Sequence, residues 1–362
     1  MKKLFILCLS ILGIFTSCDD EVTTSGGTNL GFNAEGLLTS MVNNHIIPDY
    51  TAMAEKTEAL VTAKNTFIRD TSETSLIALR TAYLNAYKQL QHIGAYGGST
   101  YGYNEYNKYM LYLNTYPTSV ELIETNITTS LNIEDLTIDQ KRAQGFPAID
   151  YLINGIAADN TSIITALSPQ HLNYLSIIID KIDSLTDEVL LEWQGETGTN
   201  FIANSGSAIY ESPNIFFNNF VYQYENQIRR LKIDNGMGFN TDQAFPELVE
   251  SLYDPIQSKV LLIEAFDAFE ALYLGTEDDT DSYSSVLVSI ERNDLDTRIK
   301  NQFNTIRTAI EGLDDNLKLQ LEEDRIAVMR VRDTMQTLVA IFKSDMASAL
   351  NASVEISDSD GD

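Results

Sequence analysis

The sequence predicts an all-α protein made of two packed helical bundles, and three observations lead there. Apolar residues recur at intervals of three and four almost without interruption from Leu37 to Leu350. Period-two alternation bounded by turn residues, the mark of a half-buried strand, occurs nowhere at useful length. A polar, glycine-bearing stretch over 195–207 is followed by a fresh helix start at Ser212-Pro213, which divides the helical pattern in two. With 362 residues, 44% of them hydrophobic, the chain can bury one large or two medium cores.

The N-terminus predicts location. Lys2 and Lys3 precede an apolar run from Leu4 to Phe15, too short to span a bilayer as a mature helix, and Phe15-Thr16-Ser17-Cys18 follows. This pattern predicts a lipoprotein signal peptide over 1–17, with Cys18 as the lipidated residue that anchors the chain to the outer membrane; a plain secretory leader is the alternative. Asp19, Asp20 and Glu21 resemble the acidic export signal of surface lipoproteins in Bacteroidetes. Cys8 leaves with the leader and Cys18 is consumed by lipid, so the mature chain has no cysteine for a disulfide, a thiolate metal site or a nucleophile. Losing Lys2 and Lys3 leaves 22 basic against 52 acidic residues, which takes the net charge from −28 to −30. Nucleic acid is excluded as a partner, because a polyanion gains nothing from such a surface.

The elements follow in order. Residues 18–35 form a Thr, Gly, Ser and Asn tether. A first bundle is expected over 36–200. Leu38, Met41, Val42 and Ile46 make a stripe, Pro48 marks a break or kink, and Met53, Leu60, Val61 and Phe67 continue it. Leu76, Leu79, Tyr83, Tyr87, Leu90 and Ile93 give the next helix, ended by Gly94. Between Ala95 and Pro117, Tyr96, Tyr101, Tyr103, Tyr106, Tyr109, Tyr112 and Tyr116 stand among glycines. Such rings either close the end of a bundle or form a recognition surface. Ser168 as cap and Pro169 in the first turn open a long helix whose buried face runs from Leu172 to Trp193.

The second bundle is expected over 201–354. Phe217, Phe220, Tyr224, Ile228 and Leu231 form the buried face of its first helix, which stops before Gly236-Met237-Gly238. A short helix is expected over Leu248 to Asp254, broken by Pro255, then another from Val260 to Leu274. Two long helices, about Ser284 to Leu313 and Asn316 to Leu350, close the fold. The acidic tail 355–362 opens like an EF-hand loop, but the chain ends before the bidentate glutamate such a loop needs.

The stretch most suggestive of function is Gly145-Phe146-Pro147-Ala148-Ile149-Asp150, where glycine and proline interrupt an otherwise buried helical turn. Gly145 allows something to approach the backbone, Pro147 starts or kinks the helix, and Asp150 projects from roughly the same face. The three histidines, His45, His92 and His171, lie in no paired motif and are expected to be ordinary imidazoles. Glu225, on the helix carrying Arg229 and Arg230, is expected to form a surface ion pair.

This motif resembles the signature Gly-x-His-x-x-Glu of the imelysin-like family of bacterial envelope proteins, with proline for the histidine and aspartate for the glutamate. The resemblance extends to Ile46-Ile47-Pro48-Asp49-Tyr50, Tyr174 through Trp193, Val249-Glu250-Ser251, Ala271-Leu272-Tyr273-Leu274-Gly275 and Asp360-Gly361-Asp362. It implies two related four-helix-bundle-type halves with a site between them. The site would be formed by Gly145, Phe146, Pro147, Asp150, Glu250 and Ser251, with Asp150 and Glu250 as oxygen ligands should a metal, iron above all, be held. It further implies one of two activities: metallopeptidase, or non-catalytic binding component in iron or haem uptake beside an outer-membrane partner. A peptidase needs a metal with three protein ligands, and the motif histidine is absent. Hard cations accept carboxylates alone, so iron binding does not fall with it. A third reading, a scaffold binding a glycan, peptide or protein partner, rests on the tyrosine-rich segment.

Overall fold

The computed structural model describes residues 30–96, 109–279 and 281–354. The expected leader with Cys18, most of the expected tether, Tyr101, Tyr103, Tyr106 and the acidic tail lie outside them. Among the described residues there is no strand, and the expected all-α, two-bundle architecture holds.

The chain enters through α1 (Ala34–Ser40), capped by the Asn33 side chain on the N–H of Gly36. It passes through a π-helical turn, Met41–Ile46, straight into α2 (Ile47–Arg69). Pro48 therefore breaks nothing. It sits where α2 restarts after the π-turn, and there its missing N–H costs little. A Ser72–Ser75 capping box starts α3 (Glu73–His92). After α4 (Val120–Thr129) come the motif helix α5 (Gly145–Asp150), a second π-turn (Tyr151–Gly155) and α6 (Asn160–Ala166). The Ser168 side chain then accepts the N–H of His171 and opens α7 (Pro169–Gln194), as its sequence predicts. Helix α2 packs lengthwise against both α3 and α7. Tyr96 and Tyr109 pack on Tyr50, with ring centroids 6.3 and 6.0 Å away, so these two rings belong to the core.

The polar stretch over 195–207 contains α8 (Glu196–Ala203), and α9 (Ser212–Tyr222) follows. Helix α9 runs directly into a long π-helical segment, Gln223–Asp234, and one further turn, Asn235–Met237. The helix expected over Leu248 to Asp254 is absent. A single 3-10 turn, Pro246–Leu248, gives way to irregular chain in which Ser251 has a φ of +56°. The Ser251 hydroxyl donates to the Asp254 carbonyl and Ser258 to the Glu250 carbonyl, giving this backbone partners that a helix would otherwise supply.

Helix α10 (Gln257–Leu274) packs across the halves onto α3. Each of the two long closing helices is divided. The first becomes α11 (Tyr283–Ser289) and α12 (Asn293–Glu311), separated where Glu291 takes a φ of +62°. The second becomes α13 (Leu317–Glu323) and α14 (Arg325–Ala340), because the Asp324 side chain caps Ala327 and starts a new helix. Phe220, Tyr224, Phe269, Phe303 and Phe342 interlock at the centre of this bundle, the closest pair 4.2 Å between centroids. One apolar cluster runs from Leu37 to Leu350 through both halves. Among the described residues, no helix is long and apolar enough to cross a membrane.

Candidate functional site

The site is built on Gly145. Its φ of +73° suits only glycine, and an added Cβ would lie 2.3 Å from the Leu113 carbonyl oxygen and 2.5 Å from that of Tyr112. The close approach read from the sequence is real, and the approaching group is this protein's own backbone. Pro147 sits in the first turn of α5, where an N–H would lack an intrahelical partner in any case. Phe146 is fully buried and stacks on Tyr87, with centroids 4.7 Å apart and planes 14° from parallel. Its carbonyl accepts the Tyr83 hydroxyl at 3.3 Å.

Asp150 is 1% exposed. Its Oδ1 accepts the Asn154 side-chain amide at 2.8 Å, and its Oδ2 accepts the backbone N–H of Tyr253 at 2.9 Å. Burial pushes its carboxyl up to about 7 against the lowering pull of those hydrogen bonds, and the nearby Asp254 charge adds to the rise. Tyr253 itself rests on Gly155, where a Cβ would come within 2.2 Å of its ring, and against Tyr151 at 5.4 Å. Arg80 takes up the Ile153 carbonyl inside the π-turn, its Nε donating at 3.0 Å, and Nη1 reaches Asn160 at 2.7 Å. The motif helix thus grips the 250–254 loop of the second half.

Glu250, 2% exposed, forms the other arm of that grip. One of its oxygens is ion-paired with the Lys232 ammonium, and the other accepts Asn114 at 2.8 Å and Gln91 at 3.4 Å. Lys232 also donates to the Gln91 side-chain oxygen at 2.7 Å, and the Tyr87 hydroxyl donates to Asn114 at 2.7 Å. Burial lowers the Lys232 ammonium while Glu250 opposes the shift. A continuous path therefore runs from Phe146 through Tyr87 and Asn114 to Glu250 and Lys232.

The structure brings Gly145, Phe146, Pro147, Asp150, Glu250 and Ser251 to one junction between the halves. Sequence reasoning missed Lys232, Asn114, Gln91, Tyr253 and Arg80. The legible signal was on the Gln223–Asp234 segment, where Glu225, Arg229 and Lys232 recur at intervals of four and three on a helix otherwise buried. Glu225 is itself 3% exposed and paired with Lys343 at 2.7 Å and Arg229 at 3.5 Å, so its ion pair is internal, not on the surface. His45 bonds Asp279 at 2.8 Å, His171 bonds Ser168 at 2.7 Å, and His92 stands 3.9 Å from Asp49 and 3.6 Å from Glu264.

These residues do not fit a metal ion. Proline at 147 has no ligand atom, both oxygens of Asp150 accept N–H donors, and an ammonium already lies on Glu250. Among the described residues, no three His, Cys, Asp or Glu side chains stand together in a way that could hold a cation. What the arrangement can do is couple two halves of a protein through buried polar bonds, one of them to a carboxyl that titrates near neutrality.

A two-bundle all-α fold with its motif at the junction defines the class of protein. The family model described as Imelysin matches residues 46–343, and the chain belongs to that family. Two solved structures share the fold. An imelysin-like protein from Psychrobacter arcticum is 16% identical with a TM-score of 0.72, over 90% of this chain and 98% of that one. A Parabacteroides distasonis protein described as an iron-regulated protein A precursor is 14% identical with a TM-score of 0.72, over 91% and 97%. No curated protein matches.

Proposed function

We propose that this chain is a lipid-anchored cell-envelope protein that serves as a non-catalytic binding component in iron- or haem-linked uptake, with its motif site serving as the joint between the two halves. The observation that carries the non-catalytic part is the Lys232–Glu250 ion pair. A peptidase must place a metal against its carboxylates to polarise a carbonyl and activate water, and here a buried ammonium holds one of the two carboxylates available. The link to iron is supported by family membership and by the iron-regulated description of the Parabacteroides protein. Anchoring is supported by the leader ending at Ser17 and by Cys18 after it.

The test is a deletion strain grown with haem or ferric iron as the only iron source. Slower growth is expected, restored by the intact gene and not by one carrying Cys18→Ala, which also loses palmitate labelling. Zinc-dependent, chelator-sensitive hydrolysis of denatured casein by the purified protein would replace this reading with the metallopeptidase one.

A further inference from the structure

We propose that a cavity between the end of the Gln223–Asp234 segment and the 235–248 loop binds a small planar organic carboxylate, gripped by Arg230 with its flat part against Phe239. The cavity encloses about 270 Å³ and is lined in part by Arg229, Arg230, Asp234, Phe239, Asn240 and Phe245. Two arginines against one aspartate is an inverted balance in a chain with 24 basic and 52 acidic residues.

The charges there are not equally engaged. Arg229, 5% exposed, reaches Gln336 at 2.6 Å, Asp234 at 3.4 Å and Glu225 at 3.5 Å. Arg332 stands 3.8 Å from Asp234 and 3.3 Å from Asp333, and its guanidinium lies 4.1 Å above the Phe239 ring. Asp234 thus has Arg229 and Arg332 as its ion-pair partners, and Arg230 acts on it only through its charge, without a contact. Arg230 is exposed and makes no hydrogen bond or ion pair among the described residues, although it lines the cavity. A guanidinium offers a fork of N–H donors that matches a carboxylate, and here that fork is uncommitted.

The loop carrying Phe239 is fixed in advance. Arg325 gathers the carbonyls of Met237, Gly238 and Thr241 at 2.6, 3.1 and 2.8 Å. The Thr241 hydroxyl bonds the carbonyls of Gly238 and Gln243 at 2.7 and 2.8 Å, and Gly238 and Asn240 take φ values of +70° and +64°. These bonds hold Phe239 36% exposed at the cavity instead of in the core. A rigid loop presenting an apolar ring beside a free guanidinium lowers the ordering cost of binding. It also selects: an inorganic anion satisfies Arg230 and leaves the ring unused, whereas an aromatic carboxylate uses both.

Calorimetry on the full chain tests this with benzoate as probe, acetate and inorganic phosphate beside it. Benzoate is expected to saturate one site, with acetate at least about tenfold weaker. Arg230→Gln should weaken benzoate by roughly ten- to a hundredfold, the loss of a charged hydrogen-bond donor. Phe239→Ser should weaken benzoate about tenfold and leave acetate unchanged. Both side chains are solvent-accessible, and unchanged thermal melts of the variants confirm that they fold. Absence of saturable benzoate binding, binding that survives Arg230→Gln, or phosphate binding as tightly as benzoate would each overturn the proposal.

Discussion

The carboxylate of Asp150 accepts the backbone N–H of Tyr253 at 2.9 Å across 103 residues of chain, so the motif helix of the first half is bonded directly to a loop of the second. Burial raises Asp150 to about 7 in the folded protein, whereas an unfolded aspartate titrates at about 3.9. A raised folded value means that Asp150 favours folding most at low pH, and this contribution is lost as pH climbs from about 3.9 to about 7. At about 1.4 kcal/mol per unit the full loss is of order 4 kcal/mol. Asp150→Asn keeps an acceptor for Tyr253 without the charge. Urea unfolding from pH 4 to pH 8 should show the wild-type stability falling relative to the variant over that window. Parallel curves for the two proteins would contradict the burial argument.

Gly145 is expected to be the least replaceable position of the motif. Gly145→Ala imposes a left-handed backbone on an L-residue, about 1–2 kcal/mol, and drives a methyl into two backbone carbonyls that cannot move as a flexible side chain would. With overpacking added, the total is roughly 2–5 kcal/mol. Thermal denaturation measures it, and a melting point equal to wild type would show that the 112–113 backbone gives way.

The Lys232–Glu250 pair is expected to behave as a coupled unit. Removing either partner leaves the other as a buried charge, so Lys232→Met and Glu250→Gln should each cost about 3–5 kcal/mol. The double variant should cost clearly less than the sum, because neither charge is stranded. Additive losses in a double-mutant cycle would show that the bonds of Asn114 and Gln91, and not the ion pair, carry the effect.

Much of the fold is legible in the sequence because its helices announce their ends. Ser168-Pro169 opens α7 where the cap and proline require, and the absence of strand periodicity matches the described residues, which contain no strand. What is hidden has physical reasons. The segment around Val249 and Leu252 fits helical spacing, yet the positive φ of Ser251 and the hydroxyls of Ser251 and Ser258 hold a loop there. The π-turns at Met41–Ile46 and Tyr151–Gly155 leave no compositional mark, since they add a residue to a turn without changing which residues are apolar. At the site, the motif glycine can be understood from its lack of a Cβ, but the partner of Glu250 cannot. Lys232 looks like one more basic residue until the chain folds the 250–254 loop back onto the Gln223–Asp234 segment.

Pro147 provides a last test of whether the motif site can be given metal chemistry. Pro147→His places at the first turn of α5 the histidine of the signature that the motif resembles, and the helix tolerates the change because no intrahelical bond depends on that N–H. The position is buried, so a polar ring lacking a partner there should cost about 1–3 kcal/mol. A single imidazole does not make a site, since Asp150 remains engaged by Asn154 and Tyr253, and Lys232 still lies on Glu250. Zinc titration should therefore find Pro147→His no tighter than wild type. Adding Lys232→Met frees the Glu250 carboxylate, so any zinc affinity gained should appear only in the double variant. Tight one-site binding by Pro147→His alone would mean that the ammonium yields to a metal and that the missing histidine alone keeps this site from holding one.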